Sequence, residues 1–180
     1  MKVDGEPPLD SALWWERVRT VDDFPKPGVR FYDLLPVFAD PDAFAALVSG
    51  LAELIAPLHP DLLAAPEARA FLLVGAVADR LRTGVLALRK PGKIPPPTFG
   101  EGYQLEYGQA ALEAVAEPVP GRKVVILDDV LATGGTVTAA ARLAERLGAR
   151  IAGYAFALEI VALGGRRRLS GGPVVSLRQV

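Results

Sequence analysis

Cysteine is absent from this chain, and histidine occurs once, as His59. The first absence excludes disulfide frameworks, thiolate metal sites and a cysteine nucleophile, and the second makes a histidine-based metal centre or a Ser-His-Asp relay a poor expectation. His59 stands beside Pro60 in a polar break and reads as a loop residue. An excess of one charge is also missing. Twenty Lys+Arg against 21 Asp+Glu give a formal net charge of -1, unlike the basic domains that grip nucleic acid. No apolar run reads as the roughly 18 residues needed to span a bilayer. The acidic N-terminus, Met1 to Glu6, lacks the apolar core of a signal peptide. These absences lead to the expectation of a cytoplasmic protein with neither a nucleic-acid nor a membrane partner. With 51% hydrophobic residues in 180, the chain suits one domain with a real core, and it shows no internal repeat. Its chemistry must then rest on carboxylates, cations and backbone amides.

The first third of the chain is irregular. Residues 11–18 read as a short helix with Ser11 as N-cap. The adjacent Trp14 and Trp15 cannot share one narrow stripe, so one is expected in the core and the other is free to pack on a partner subunit. Prolines and a glycine make Asp22 to Gly28 a turn. Pro41 to Leu58 reads as a helix, with Asp40 ahead of a first-turn proline. Beyond it, short apolar runs alternate with helical patterns: Leu62–Ala65, a helix over 70–82, Val85–Leu88, Val124–Leu127, a helix over 136–147 and Ile151–Ile160. This alternation predicts an α/β fold with a central, mostly parallel β-sheet flanked by helices. The long Pro/Gly-rich interruption from Lys90 to Gly108 is expected to be a functional lid.

The segment Val124 to Thr136 carries the strongest signal. A buried strand delivers Asp128 and Asp129, and a loop of small residues then turns directly into a helix. Ala132, Gly134 and Gly135 let backbone N–H groups crowd an anion, Thr133 and Thr136 add hydroxyl donors, and the helix dipole favours negative charge. That half suits a phosphate monoester. Two carboxylates would repel the same phosphate, so they need another partner, and neighbouring sugar hydroxyls fit. A Walker loop would need Gly-Lys-Ser/Thr and a dinucleotide fingerprint Gly-x-Gly-x-x-Gly, and neither is present.

This segment resembles the phosphoribosyl-pyrophosphate motif of type I phosphoribosyltransferases. The resemblance implies that Asp128 and Asp129 hold the ribose 2′- and 3′-hydroxyls and that Ala132, Thr133, Gly134, Gly135 and Thr136 hold the 5′-phosphate. It extends from about residue 21 to residue 177 and is nearest to the adenine phosphoribosyltransferase family. Asp23 to Phe31 looks like that family's hood, Glu67 to Phe71 its pyrophosphate turn, Arg89 to Lys93 its basic loop, and Tyr103 to Gly108 its catalytic flap. The likeness implies one phosphoribosyltransferase domain over 1–180, with a small N-terminal hood at about 21–36 and a flexible flap at about 90–108.

Further roles follow from the likeness. Phe31 would stack on the base with Ile160 on its other side, and main-chain groups of Arg30 and Tyr32 would read its edge. Arg69, Arg89, Lys90 and Lys93 would clamp pyrophosphate, and Glu106 would act as general acid and base. Mg²⁺ would be bound mainly through phosphoribosyl pyrophosphate, with no direct metal ligand from the protein. The expected substrates and products are adenine, phosphoribosyl pyrophosphate, AMP and pyrophosphate, turned over by a homodimer. Tyr32 stands where the family usually has arginine, Ala70 and Val74 replace glycines, and Pro95 to Pro97 stiffen the flap's entry. The run Arg166 to Arg168 reads as solvated surface. A 6-oxopurine as acceptor is the alternative; a non-catalytic purine-sensing regulator is disfavoured, because only about twenty residues, acidic overall, precede the hood.

Overall fold

The computed structural model describes residues 12–105 and 108–180, with the side chains of 104–109 left aside. Ser11 and Glu106 therefore lie outside the described residues. The chain forms two compact units, Met1–Gly50 and Leu51–Val180.

In the first unit a short helix α1 (Leu13–Glu16) precedes an antiparallel hairpin of β1 (Arg19–Asp22) and β2 (Arg30–Asp33). The turn between them has Asp23 and Gly28 at positive φ, and the Gly28 N–H donates to Asp23 Oδ1 at 2.7 Å. A glycine meets the left-handed geometry there at no steric cost. Trp14 is the indole that enters the core, while Trp15 lies against Tyr32 at 6.1 Å between ring centroids. Asp33 is buried, accepts from the Leu35 N–H and pairs with Arg19. It leads into α2 (Leu35–Ala39).

Asp40 caps α3 (Pro41–Ile55) as the sequence predicts, its Oδ1 accepting from the N–H groups of Asp42 and Ala43. With the 3₁₀ turn over Ala56–Leu58, the helical stretch reaches 18 residues and is apolar enough to cross a bilayer by length and composition, contrary to the expectation of no such run. Core packing accounts for this apolarity: Ala43 and Leu47 are buried, as are Leu51 and Ile55 further along the helix.

The second unit is built on a five-stranded parallel sheet in the order β4-β3-β7-β8-β9. Its strands are β3 (Leu62–Pro66), β4 (Gly84–Leu88), β7 (Lys123–Leu131), β8 (Arg150–Glu159) and β9 (Val174–Gln179). Helix α4 (Ala70–Leu81) connects β3 to β4, and α5 (Gly135–Arg146) connects β7 to β8. Both faces of the sheet are covered, so the central strands run as unbroken apolar stretches, with Val124 to Leu127 all fully buried. Each such Leu or Ile contributes roughly 1.5–3 kcal/mol. Ala70 and Val74 are buried on α4 and belong to this core.

The second part of the segment expected to be a lid, from Thr98 onward, belongs to a second hairpin. Strands β5 (Thr98–Leu105) and β6 (Gly108–Val115) pair in register from Thr98↔Val115 to Leu105↔Gly108. Leu112 and Ala114 point into the core, and the Arg89↔Glu113 bridge ties the hairpin to the end of β4.

Candidate active site

The connections from β3 and β7 leave in opposite directions. Strand β3 passes through α4 to β4 on one side, and β7 passes through α5 to β8 on the other. The crevice between their carboxyl ends is a topological switch point, where open α/β sheets bind ligands. Pairing of β3 with β7 ends at Ala64↔Ile126, just before Asp128, so the strand ends part there.

Both acids lie inside β7, which runs four residues beyond the end of its apolar stretch, to Leu131. Asp129 is 4% exposed. Its Oδ2 has no aligned hydrogen-bond partner but lies 2.5 Å from Arg69 Nε, so the contact is electrostatic and poorly directed. Arg69 stands at the start of α4, across the crevice. The structure thus brings the proposed sugar-binding and pyrophosphate-binding groups together. Asp128 Oδ1 accepts the Asp129 N–H at 2.9 Å. Burial, followed by the neighbouring Asp129 charge, holds the Asp128 carboxyl well above the usual carboxylate range.

The loop after β7 opens on a cavity of about 300 Å³, bordered by Asp128, Thr133, Gly135, Thr136 and Leu163. Gly134 adopts φ 81° as the residue before α5, and no side chain caps that helix. Its N-terminal amides are therefore open to an anion.

The basic loop is organised by a residue to which the sequence reading gave no role. Glu67 Oε2 accepts from Arg89 Nε at 3.3 Å and from the Lys90 N–H at 3.1 Å, and Arg89 Nη1 donates to the Lys93 carbonyl. These bonds, led by the Lys90 N–H, hold the Glu67 carboxyl below its ordinary range. Two of the three Arg89 guanidinium nitrogens are thus held within the protein, while the Lys90 amide shares its anchor. Glu67 stands two residues before Arg69, but its partners Arg89 and Lys90 lie 22 and 23 residues further on, so no local spacing marks the contact.

In the first unit, Phe31 meets Phe24 edge-on at 5.2 Å, and Arg30 pairs with Asp22 at 2.7 Å. Strand β2 has β1 as its one strand partner among the described residues, which leaves an outer edge of backbone donors and acceptors. In the second unit, Ile160 follows β8 and its N–H donates to the Leu131 carbonyl at 2.9 Å. Arg166 requires a correction. It is engaged with buried Glu159 rather than solvated, whereas Arg167 and Arg168 are exposed as expected. A buried carboxylate needs a partner, which the run of three arginines concealed.

The model of the phosphoribosyl transferase domain matches residues 40–168. Adenine phosphoribosyltransferase of Rhodococcus jostii (strain RHA1) is 55% identical over 161 residues, 88% of this chain and 90% of that protein. The chain belongs to the adenine phosphoribosyltransferase family. A crystal structure of adenine phosphoribosyltransferase from Thermoanaerobacter pseudethanolicus matches with TM-score 0.90 and 41% identity, covering 95% of this chain and 100% of that one. The Saccharomyces cerevisiae adenine phosphoribosyltransferase, solved with adenine and an imino-altritol bisphosphate, matches with TM-score 0.84 and 34% identity over 93% and 99%. The parallel sheet with its flanking helices is the fold of this family.

Proposed function

We propose that the chain, acting as a single phosphoribosyltransferase domain, transfers the 5-phosphoribosyl group of phosphoribosyl pyrophosphate to adenine, yielding AMP and pyrophosphate. The observation that carries this reading is the acidic pair of partly buried Asp128 and buried Asp129 set beside an anion cradle at the switch point, with Arg69 facing it. The yeast relative's bound adenine and sugar-like bisphosphate support it.

In this reading Asp128 and Asp129 accept hydrogen bonds from the ribose diol, each carboxylate able to take two. Arg69 turns from Asp129 toward the departing pyrophosphate, joined by Arg89, Lys90 and Lys93. The amides and hydroxyls from Ala132 to Thr136 hold the 5′-phosphate. Phe31 offers a stacking face for adenine, with main-chain groups of Arg30 and Tyr32 for its polar edge, and Ile160 is a further apolar contact. Glu106 manages the proton on the base as a ring nitrogen becomes the nucleophile, and the flap excludes water from a sugar centre with oxocarbenium-like character.

The donor set fits Mg²⁺ carried in by substrate. Among the described residues no group of three or more potential ligands is present, and Asp128 and Asp129 add oxygen donors beside the cradle. Bound there, Mg²⁺ would neutralise diphosphate charge, its ligands mainly sugar and phosphate oxygens and water. A cytoplasmic homodimer completes the proposal.

The test is an assay of purified protein with phosphoribosyl pyrophosphate, Mg²⁺ and each purine in turn. Adenine should be consumed fastest, with equimolar AMP and pyrophosphate. Faster turnover of hypoxanthine or guanine would reverse the base assignment.

A further inference from the structure

Strand β8 ends on Glu159, 4% exposed and surrounded by donors. Arg166 approaches it side-on, Nε to Oε1 at 2.8 Å and Nη2 to Oε2. Ser176 Oγ and Gln179 Nε2, both from β9, donate to the same Oε2 at 2.9 and 3.0 Å. The remaining Arg166 nitrogen, Nη1, donates to the Val174 carbonyl at 2.6 Å. One ion pair thus fastens the end of β8, the chain after it and β9.

After Glu159 the chain makes two 3₁₀ turns, Val161–Leu163 and Gly165–Arg168, the second carrying Arg166, joined by Gly164 at φ 65°. Immediately before Arg166, buried Gly165 lies against the loop after β7. A Cβ on Gly165 would overlap the Ala132 carbonyl oxygen, and a Cβ on Gly134 would sit 2.8 Å from the Gly165 oxygen. Backbone faces backbone with no side chain between, so a shift of Gly165 forces a shift of Gly134 and Ala132. Thr138 holds the Gly134 carbonyl from inside α5, but Gly134 is in the left-handed region and no side chain caps the helix's first amides.

We infer that the Glu159–Arg166 pair is a positioning clamp, which fixes Gly165 against Ala132–Gly134 and thereby sets the amides of the cradle for the 5′-phosphate. The inference rests on the proposed function and deepens it. A buried ion pair gives little net stability over a well-packed apolar pair, but a carboxylate and guanidinium joined side-on fix geometry closely. Anion cradles are sensitive to such geometry, since a displacement of about 1 Å can cost a hundredfold in rate.

The test compares Arg166→Met, Arg166→Lys and Ser176→Ala with Val77→Ala, a cavity variant in the buried face of α4. Calorimetry reads ribose 5-phosphate affinity, steady-state kinetics read the two KM values, and melting reads stability. Arg166→Met should weaken ribose 5-phosphate roughly tenfold or more and raise KM for phosphoribosyl pyrophosphate in step, with KM for adenine within about twofold. Arg166→Lys keeps charge without the fork and should rescue only part of the loss. Ser176→Ala, which removes one donor and is the fallback should Arg166→Met not fold, should weaken binding by about threefold. Val77→Ala should lose stability with unchanged affinity. Wild-type affinity in folded Arg166→Met or, failing that, in Ser176→Ala overturns the clamp, as does an equal loss in Val77→Ala. Wild-type protein that binds no ribose 5-phosphate overturns the functional reading itself, and the clamp with it.

Discussion

Asp128 sits where function and stability oppose each other. Burial and the Asp129 charge raise its pKa above the ordinary 3.8, so its folded-state proton is held more tightly than in the unfolded chain. Stability from this residue therefore falls as pH rises from that ordinary value through the raised one, and the cost is fully present once both states are ionised. Asparagine keeps the shape and removes the charge. Asp128→Asn should melt at or above the wild-type temperature at neutral pH while ribose 5-phosphate affinity and turnover fall at least tenfold, as loss of charge-assisted bonds of roughly 1.5–3 kcal/mol requires. A lower melting temperature with affinity retained would assign Asp128 to the scaffold. The acidic pair and the glycines after it were legible in the sequence because each residue type is demanded by chemistry. Glu67 and Glu159 were not, because a carboxylate that works by holding another residue carries no spacing signal.

At the scale of elements, long buried strands and capped helices were readable and the hairpins were not. Strands β7 and β8 announce themselves as apolar runs, and α3 by Asp40 and Pro41. Strands β1 and β2 have four residues each, several of them charged, and only the turn between them was readable. In β5, Gly100 and Gly102 mask the alternation of Phe99, Glu101 and Tyr103, although Leu112 and Ala114 keep the inward period of two on β6. This hairpin is latched to α5, the same helix whose start forms the anion cradle. Arg146 Nη1 donates to the Gly100 carbonyl at 2.5 Å and lies 3.4 Å from Glu101 Oε2, and its guanidinium covers the Phe99 ring at 5.3 Å. Arg142 adds a looser contact to Glu101 at 3.7 Å. These groups are half exposed, so their worth is local: Arg146→Met should speed amide exchange in β5 and β6 by roughly tenfold and leave the melting temperature within a few degrees. Unchanged exchange there would show that buried Leu112 and Ala114 and the Arg89↔Glu113 bridge anchor the hairpin without Arg146.

Across the whole molecule, three carboxylates distant in sequence titrate in one direction. Asp40 is held below its ordinary 3.8 chiefly by the Ala43 N–H, Glu67 below 4.5 by the Lys90 N–H, and Glu159 below 4.5 by the Arg166 guanidinium. A folded-state pKa below the unfolded one gives stability that is complete above the unfolded value and disappears as pH falls through the folded value. The contribution of these three should therefore be level above about pH 5 and decline once the medium passes below the ordinary carboxylate range. Of the three, Glu159 is the most deeply buried and has four side-chain bonds, so it should be the largest single contributor to that acid limb. Glu159→Gln keeps volume and some hydrogen bonding but cannot titrate. In denaturant melts from about pH 6 to about pH 3, the variant should be less stable than wild type at the neutral end. The gap should close as acid protonates Glu159 in the wild type, because both proteins then present an uncharged side chain to Arg166. Curves that run parallel throughout would show that Glu159 is not the titrating group, and would place the acid limb on Asp40 and Glu67 instead.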